Sequence, residues 1–428
     1  MEKTVKLITK TADKENFDNV DNYILNGGFA GLKKAVSMQH EDIIQEIIDS
    51  KLLGRGGAGY PTGLKWKSLY SIEESPKYIV CNGDEGEPGT FKDRFFIEQN
   101  PLRIIEGMLI AAYVFNSKDG YIYIRGEYRH LIEGFNRAVK NAEKAGYLGK
   151  NILGMNGFDF DIHIISGAGA YICGESSSML NSIEAKTGMP RIKPPHLAEV
   201  GLFQMPTLVN NIETFAAIPT ILEEGGEHFK SIGTEDDGGS IMICLSGHAK
   251  NKGVYEIPLG TSLKDIIYDE ELGGGTKSGK KINFVHLGGQ SGPLAFPEQF
   301  EVSYDYKSLK AVGLTKGTGA VVVCDETVDL IDYLKKVFEF FNEESCGKCN
   351  PCREGNQQMY LILDRISKGN GKMKDIQLMK DLAFAMSQAS FCGLGQASCT
   401  ALMSALNHRP DVFKNKMTDD EYAMERGF

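Results

Sequence analysis

The chain lacks a run of about 18 apolar residues, so no membrane-spanning helix is expected. Its first residues, MEKTVKLITKTADKENF, carry no apolar signal core, and a cytoplasmic location without membrane insertion follows as the expectation. It has no excess of positive charge. The net charge is −10, which speaks against a nucleic-acid footprint. There is no repeat of fixed period and no low-complexity tract. Nine cysteines in 428 residues are too few, and odd in number, for a disulfide framework. Clustered cysteines without an export signal more often bind metal.

What is present is a chain long enough for about three domains. Residues 41–51 place Ile43, Ile44, Ile47 and Ile48 at helical spacing. KYIVC (77–81), YIYIR (121–125) and FDFDIHIIS (158–166) read as strands, with helices at 104–115, 129–145 and 176–184. This alternation predicts a layered α/β domain over 1–240, whose first 40 residues form a cap. Strands at 241–246, 282–289 and 319–326 and a helix at 260–270 predict a small α+β module over 241–327. From Val328 the periodicity is helical, so 328–428 is expected as a helical domain.

The sharpest local signal is ESCGKCNPCREG with SFCGLG. Cys346, Cys349 and Cys352 are spaced C-x2-C-x2-C, and Cys392 follows far downstream. Three thiolates within seven residues suit one corner of a cubane, with the distant cysteine closing the site. Structural zinc, the alternative, more often uses two separated pairs. Lys348 and Arg353 can offset the charge. Cys399, Cys81, Cys173, Cys244 and Cys324 are expected to pack in cores.

Gly54-Arg55-Gly56-Gly57-Ala58-Gly59 satisfies G-x-G-x-x-G. A helix precedes it and Tyr60-Pro61-Thr62-Gly63 prolongs the loop, so the strand–loop–helix context of a Rossmann fingerprint is missing. Bare backbone N–H groups, with Arg55 and Lys65, suit a flat anionic ligand; a surface loop is the alternative. A second glycine loop, Ser166 to Glu175, does follow a strand and lead into a helix. Asn210 and Asn211 in PTLVNNIET can hydrogen-bond a heteroaromatic ring or a ribityl chain. Asp84, Glu85 and Glu87 suit sugar hydroxyls, or form a solvated turn.

Taken in order, RGGAGYPTGLKW, CNGDEGEPGTFKDR, GAGAYICGE, GMPRIKPP, VNNIET and ESCGKCNPCREG resemble the NADH-binding flavoprotein subunit of respiratory complex I. The same core occurs in diaphorase subunits of NAD(P)-linked hydrogenases and formate dehydrogenases. The resemblance implies a Rossmann-like FMN domain, a β-grasp domain and a helical bundle with one [4Fe–4S] cluster. It implies FMN contacts from Gly54 to Gly63, with Arg55, Gly56, Gly57, Ala58 and Gly59 among them. Lys65, Asn82, Asp84, Gly86, Tyr171, Gly174, Glu175, Asn210, Asn211 and Thr214 complete that set, and Glu85 is a further cofactor-binding candidate. The nicotinamide nucleotide is implied near Tyr60, Glu87 and Lys193, and the cluster on Cys346, Cys349, Cys352 and Cys392. No side chain is implied as an acid or base.

Two departures stand out. The family's C-G-E-E-T is Cys173-Gly174-Glu175-Ser176-Ser177 here, so a carboxylate beside the adenosine ribose becomes Ser176. An aromatic residue of the family is replaced by Ser68, next to Lys67. Both changes suit a 2′-phosphate and lead us to expect NADP(H) over NAD(H). The expected setting is a soluble hydrogenase, formate dehydrogenase or transhydrogenase complex, electron-bifurcating types included; complex I is the alternative. A thioredoxin-fold [2Fe–2S] subunit is implied as a partner. Further clusters are expected in other subunits, since the iron–sulfur extensions of some relatives are missing.

Overall fold

The computed structural model describes residues 3–418. The outermost residues of the regions 1–240 and 328–428 lie outside that range. Four strands, β1 (Tyr78–Gly83), β2 (Asp119–Ile124), β3 (Asp161–Ser166) and β4 (Thr207–Asn211), form an all-parallel sheet of order β3-β2-β1-β4. Ile79, Val80 and Cys81 are buried on both faces of β1, as a central parallel strand requires. Helices Pro101–Phe115, Arg129–Lys144 and Ile212–Glu224 contribute to the core on one face.

Five further strands make the second sheet: β5 (Ser240–Gly247), β6 (Gly253–Pro258), β7 (Ile282–Leu287), β8 (Leu294–Ala295) and β9 (Ala320–Asp325). Their order is β6-β5-β9-β7-β8, with β5 and β9 parallel and the other pairs antiparallel. With helix Leu263–Tyr268 after the first hairpin, this is the β-grasp arrangement. Helices Leu330–Glu344, Asn350–Ser367, Met373–Ala389 and Thr400–His408 follow. They share one apolar core with Val80, Tyr123 and Val209 of the first sheet and Phe284 and Phe296 of the second module.

The first residues do more than cap the α/β domain. The backbone N–H groups of Leu7, Ile8 and Thr9 donate to the buried carboxylate of Glu256 in β6, tying this segment to the β-grasp module. Burial raises the affinity of that carboxylate for a proton; the donors around it oppose the shift.

Candidate functional site

Strand order places a topological switch between β1 and β4, where chains leave the sheet in opposite directions and open a crevice at its carboxyl edge. Asn82 and Asn211 are register partners at this edge. Asn82 Nδ2 donates to Gly174 O at 2.9 Å, bringing in the second glycine loop. That loop enters a 3-10 turn, Tyr171–Gly174, before helix Ser176–Ile183.

The first glycine loop, between helices His40–Asp49 and Thr62–Tyr70, lies on the same crevice. Arg55 N donates to Thr214 Oγ1 at 2.9 Å. A Cβ on Gly56 would sit 3.3 Å from Asn211 Cβ, so the loop backbone lies directly against β4. Gly57 and Gly59 have φ of +106° and +65°, a region that side-chain-bearing residues rarely adopt. Gly86 packs on Tyr171, where a Cβ would meet the ring at 3.0 Å.

Charge in the crevice is arranged unevenly. Lys65 Nζ donates to Val209 O at 2.9 Å; burial first, then Lys193, lowers its pKa to about 8. Asp84 is pushed up to about 7, chiefly by burial, against the pull of Arg125. Its Oδ2 is shielded from solvent and has no hydrogen-bond partner. An orphaned carboxylate oxygen beside bare glycine backbone fits a ligand that donates hydroxyls, as a ribityl chain does. Asn210 accepts from the Trp66 indole N–H at 3.0 Å once its amide is oriented by its neighbours.

Three residues differ from expectation. Arg55 is no free cation of its loop: its buried guanidinium donates to Asp237 Oδ1, Gly238 O and Ser240 O. Glu85 offers no free carboxylate: it accepts from Asp93 N, Arg94 N and Tyr128 OH, capping helix Lys92–Gln99. Lys67 lies about 200° around its helix from Lys65, while Ser68 is one turn on along the Lys65 side. Glu87 is also engaged, by Tyr171 OH at 2.6 Å and by Ser291 N at 3.0 Å. With Glu85 and Glu87 both buried, the solvated-turn reading fails. Tyr60 and Ala58 are exposed, while Gly63 is buried against Ile48.

Motifs alone missed what the β-grasp module brings to the crevice. Ser291 and Thr318 reach it from two glycine-dense loops, GGQSG and KGTG, and Thr318 Oγ1 hydrogen-bonds Thr90 Oγ1. Those glycine pairs were the available signal.

Cys346, Cys349, Cys352 and Cys392 line one narrow cavity with about 10 Å³ of free space. No carboxylate or imidazole of the described residues lines it. Among the described residues no group of three or more His, Cys, Asp or Glu is drawn close enough to hold a single ion. Three of these thiols lie within seven residues and Cys392 joins them from a distant segment, an arrangement that suits an iron–sulfur cluster rather than zinc. Phe391 N donates to Cys349 Sγ at 3.4 Å and Asn356 Nδ2 to Cys352 Sγ at 3.4 Å, contacts that stabilise thiolate charge. Lys348 Nζ stands 4.0 Å from the Phe391 ring centroid, whereas Arg353 is paired with Glu354. Cys399 is buried, with its thiol against Met386 Sδ.

Residues 47–220 match the profile of the Nuo51 FMN-binding domain, and 332–416 that of the NADH-ubiquinone oxidoreductase-F iron-sulfur binding region. The F 2 subunit of the NADH-quinone oxidoreductase of Rhizobium meliloti (strain 1021) is 42% identical over 92% of this chain and 94% of its own. The chain belongs to the family of NADH-quinone oxidoreductase F subunits. NADP-reducing hydrogenase subunit HndC of Solidesulfovibrio fructosivorans is 39% identical, over 97% of this chain and 83% of that one. The fold superposes on a NAD+-reducing [NiFe]-hydrogenase in the H2-reduced state with a TM-score of 0.82 at 31% identity. That match covers 90% of this chain, which spans only 64% of the hydrogenase chain. As a member of this family, the chain is an oxidoreductase subunit acting on NAD(P)H, with FMN and a [4Fe–4S] cluster as its cofactors.

Proposed function

We propose that this chain is the electron-input subunit of a hydrogenase-, formate dehydrogenase- or transhydrogenase-type complex and that it favours NADP(H). The observation carrying the nucleotide preference is Ser176. It is half-buried at the first turn of helix Ser176–Ile183, where the helix N-terminus favours an anion. Its neighbour Glu175 has no spare charge: it accepts from Ser177 N and Ser178 N and pairs with Lys193 Nζ at 2.8 Å. Together these groups oppose its desolvation and lower its pKa. A 2′-phosphate arriving here meets the Ser176 hydroxyl instead of a second carboxylate, beside a Lys193 whose charge is shared with Glu175. The NADP-reducing hydrogenase subunit among the relatives supports this reading.

FMN held in this crevice would supply hydride exchange with the nicotinamide and one-electron release. The chain's own residues bind and orient. Gly54 to Gly59 and Gly86 give close backbone approach, Asp84 offers an unpaired carboxylate oxygen, Lys65 supplies a cation, and Asn82 and Asn211 brace the crevice by donating to Gly174 O and Asp93 Oδ2. Cys346, Cys349, Cys352 and Cys392 would hold the cluster. A thioredoxin-fold [2Fe–2S] subunit is the proposed neighbour. Bifurcation, if the complex performs it, belongs to the assembly, because it needs two acceptors of different potential.

The test is kcat/KM with NADPH against NADH, measured on the FMN-loaded protein. A preference for NADPH is expected. Ser176→Glu should lower NADPH efficiency by about one to two decades and spare NADH. Strong NADH preference in the unaltered protein would return the chain to the second reading, the NADH dehydrogenase subunit of complex I. The NADH-quinone oxidoreductase relatives favour that reading.

A further inference from the structure

One dipeptide separates the flavin crevice from the cysteine cavity. Tyr171 belongs to the crevice, where its ring packs on Gly86 and its hydroxyl donates to Glu87. Ile172, the next residue, lines the cavity with the four cysteines, and Pro190 lines it too. The sites of the two cofactors therefore share this strip of chain as a wall.

The wall is held from the helical domain. Tyr171 opens the 3-10 turn Tyr171–Gly174, and the N–H groups at such a start have no partner within the turn. Ala170, at the capping position, has no side chain that could accept one. The acceptor is Glu344, whose Oε2 lies 3.0 Å from Tyr171 N. Glu344 ends helix Leu330–Glu344 and stands two positions before Cys346. About one turn earlier on that helix, Phe340 meets the Tyr171 ring edge to face, with centroids 5.1 Å apart. Lys348, two positions after Cys346, donates to Pro190 O at 2.6 Å. Residues on both sides of a cluster ligand are thus bonded to both parts of the wall.

On charge alone Glu344 is unfavourable here. It adds a negative charge close to the cysteines, and it reinforces burial in favouring the protonated form of Asp84. What it supplies, and an apolar or basic residue would not, is an acceptor for Tyr171 N.

We propose that Glu344 is a positioning residue for electron passage: its carboxylate fixes Tyr171 and Ile172 against the cluster-bearing segment and so sets the gap between flavin and cluster. Electron transfer through protein falls steeply as such a gap widens, and a site keeps its geometry only when the groups that support it are themselves locked. In each passage one electron leaves the reduced flavin and the cluster gains it; the wall makes and breaks no bond. The proposal rests on the chain being an electron-input subunit that holds both cofactors, not on its nucleotide preference. A failure of the NADPH assay therefore leaves it standing.

The test compares Glu344→Ala and Glu344→Gln with the parent, each loaded with FMN and cluster. Amide hydrogen exchange is read by mass spectrometry from peptides that end on either side of Tyr171. The alanine variant loses a hydrogen bond to a charged acceptor, so exchange at Tyr171 should quicken about ten- to hundredfold. Stopped-flow bleaching of the flavin by NAD(P)H should keep its rate, while reduction of the cluster, followed by freeze-quench electron paramagnetic resonance, should slow. Glutamine keeps an acceptor without the charge, so it should restore both the protection and the rate. Unchanged exchange or an unslowed cluster in the alanine variant would overturn the proposal, as would a glutamine variant that behaves like alanine. Loss of iron from the alanine variant, or equal slowing of flavin and cluster, would do the same, because Glu344 would then support the ligand loop or the fold rather than the wall.

Discussion

Asp84 shows how a ligand site costs the empty protein stability. Its carboxyl has a folded-state pKa of about 7, well above the ordinary 3.8. Between those values the folded chain keeps a proton that the unfolded chain releases, so stability falls as pH rises through that window. Flavin-free Asp84→Asn should lose that slope and be more stable than the parent at pH 8, while binding FMN more weakly; urea denaturation at pH 5 and 8 reads both arms. Lys65 acts with the opposite charge. It is a cation only below about pH 8, so FMN affinity should fall above that pH, by at most about tenfold per unit. Lys65→Met should remove the dependence in a fluorescence titration. Single-residue roles were legible where the motif itself holds the chemistry, as at the four cysteines. They were not legible for Arg55 or Glu85, because the groups that claim these side chains lie far along the chain, at Asp237 and at Tyr128.

Helices and strands were readable from periodicity, because nearly every one has an apolar face or a fully buried run. Helix Leu330–Glu344 buries Leu330, Ile331, Leu334, Val337, Phe338 and Phe341 on one side, the spacing seen in the sequence. Contacts between elements were not readable. The helical domain meets the β-grasp module through Tyr333, whose hydroxyl donates to His286 Nδ1 at 2.8 Å, while His286 Nε2 donates to Gly292 O. Burial lowers the pKa of this histidine to about 4, so it stays neutral and accepting at ordinary pH. Tyr333→Phe leaves a buried acceptor unpaired and should cost about 1–3 kcal/mol. Acid below about pH 4 should loosen the same junction in the parent protein, because protonated His286 can no longer accept. Tryptic cleavage between the two parts, compared at pH 7 and pH 4 after brief exposure, measures it.

Across the whole molecule, one buried network joins the glycine loop to the rest. Arg55 pairs with Asp237, which also holds Lys316 of the β-grasp module, and Glu213 pairs with Lys92. Removing Arg55 takes one of two cations from Asp237 and the side-chain donor from Gly238 O and Ser240 O, so Arg55→Ala should destabilise the fold by about 3–5 kcal/mol in chemical denaturation. The same variant should lower FMN content more than cluster content, because the cysteine cavity is lined from other segments. Among the described residues no helix is long and apolar enough to cross a membrane. Fold class was evident from the succession of patterns. The shared core that fuses the three parts was not, because no local pattern records which buried faces meet.

The contact between Gly57 and Thr318 has a consequence for synthesis on the ribosome. These residues are separated by more than half of the chain, yet a Cβ on Gly57 would lie 3.4 Å from the Thr318 methyl. The glycine loop emerges early and waits. Its final shape is set only when the segment around residue 318 has cleared the exit tunnel, so the nascent chain passes most of its translation with this loop unsupported by its later neighbour.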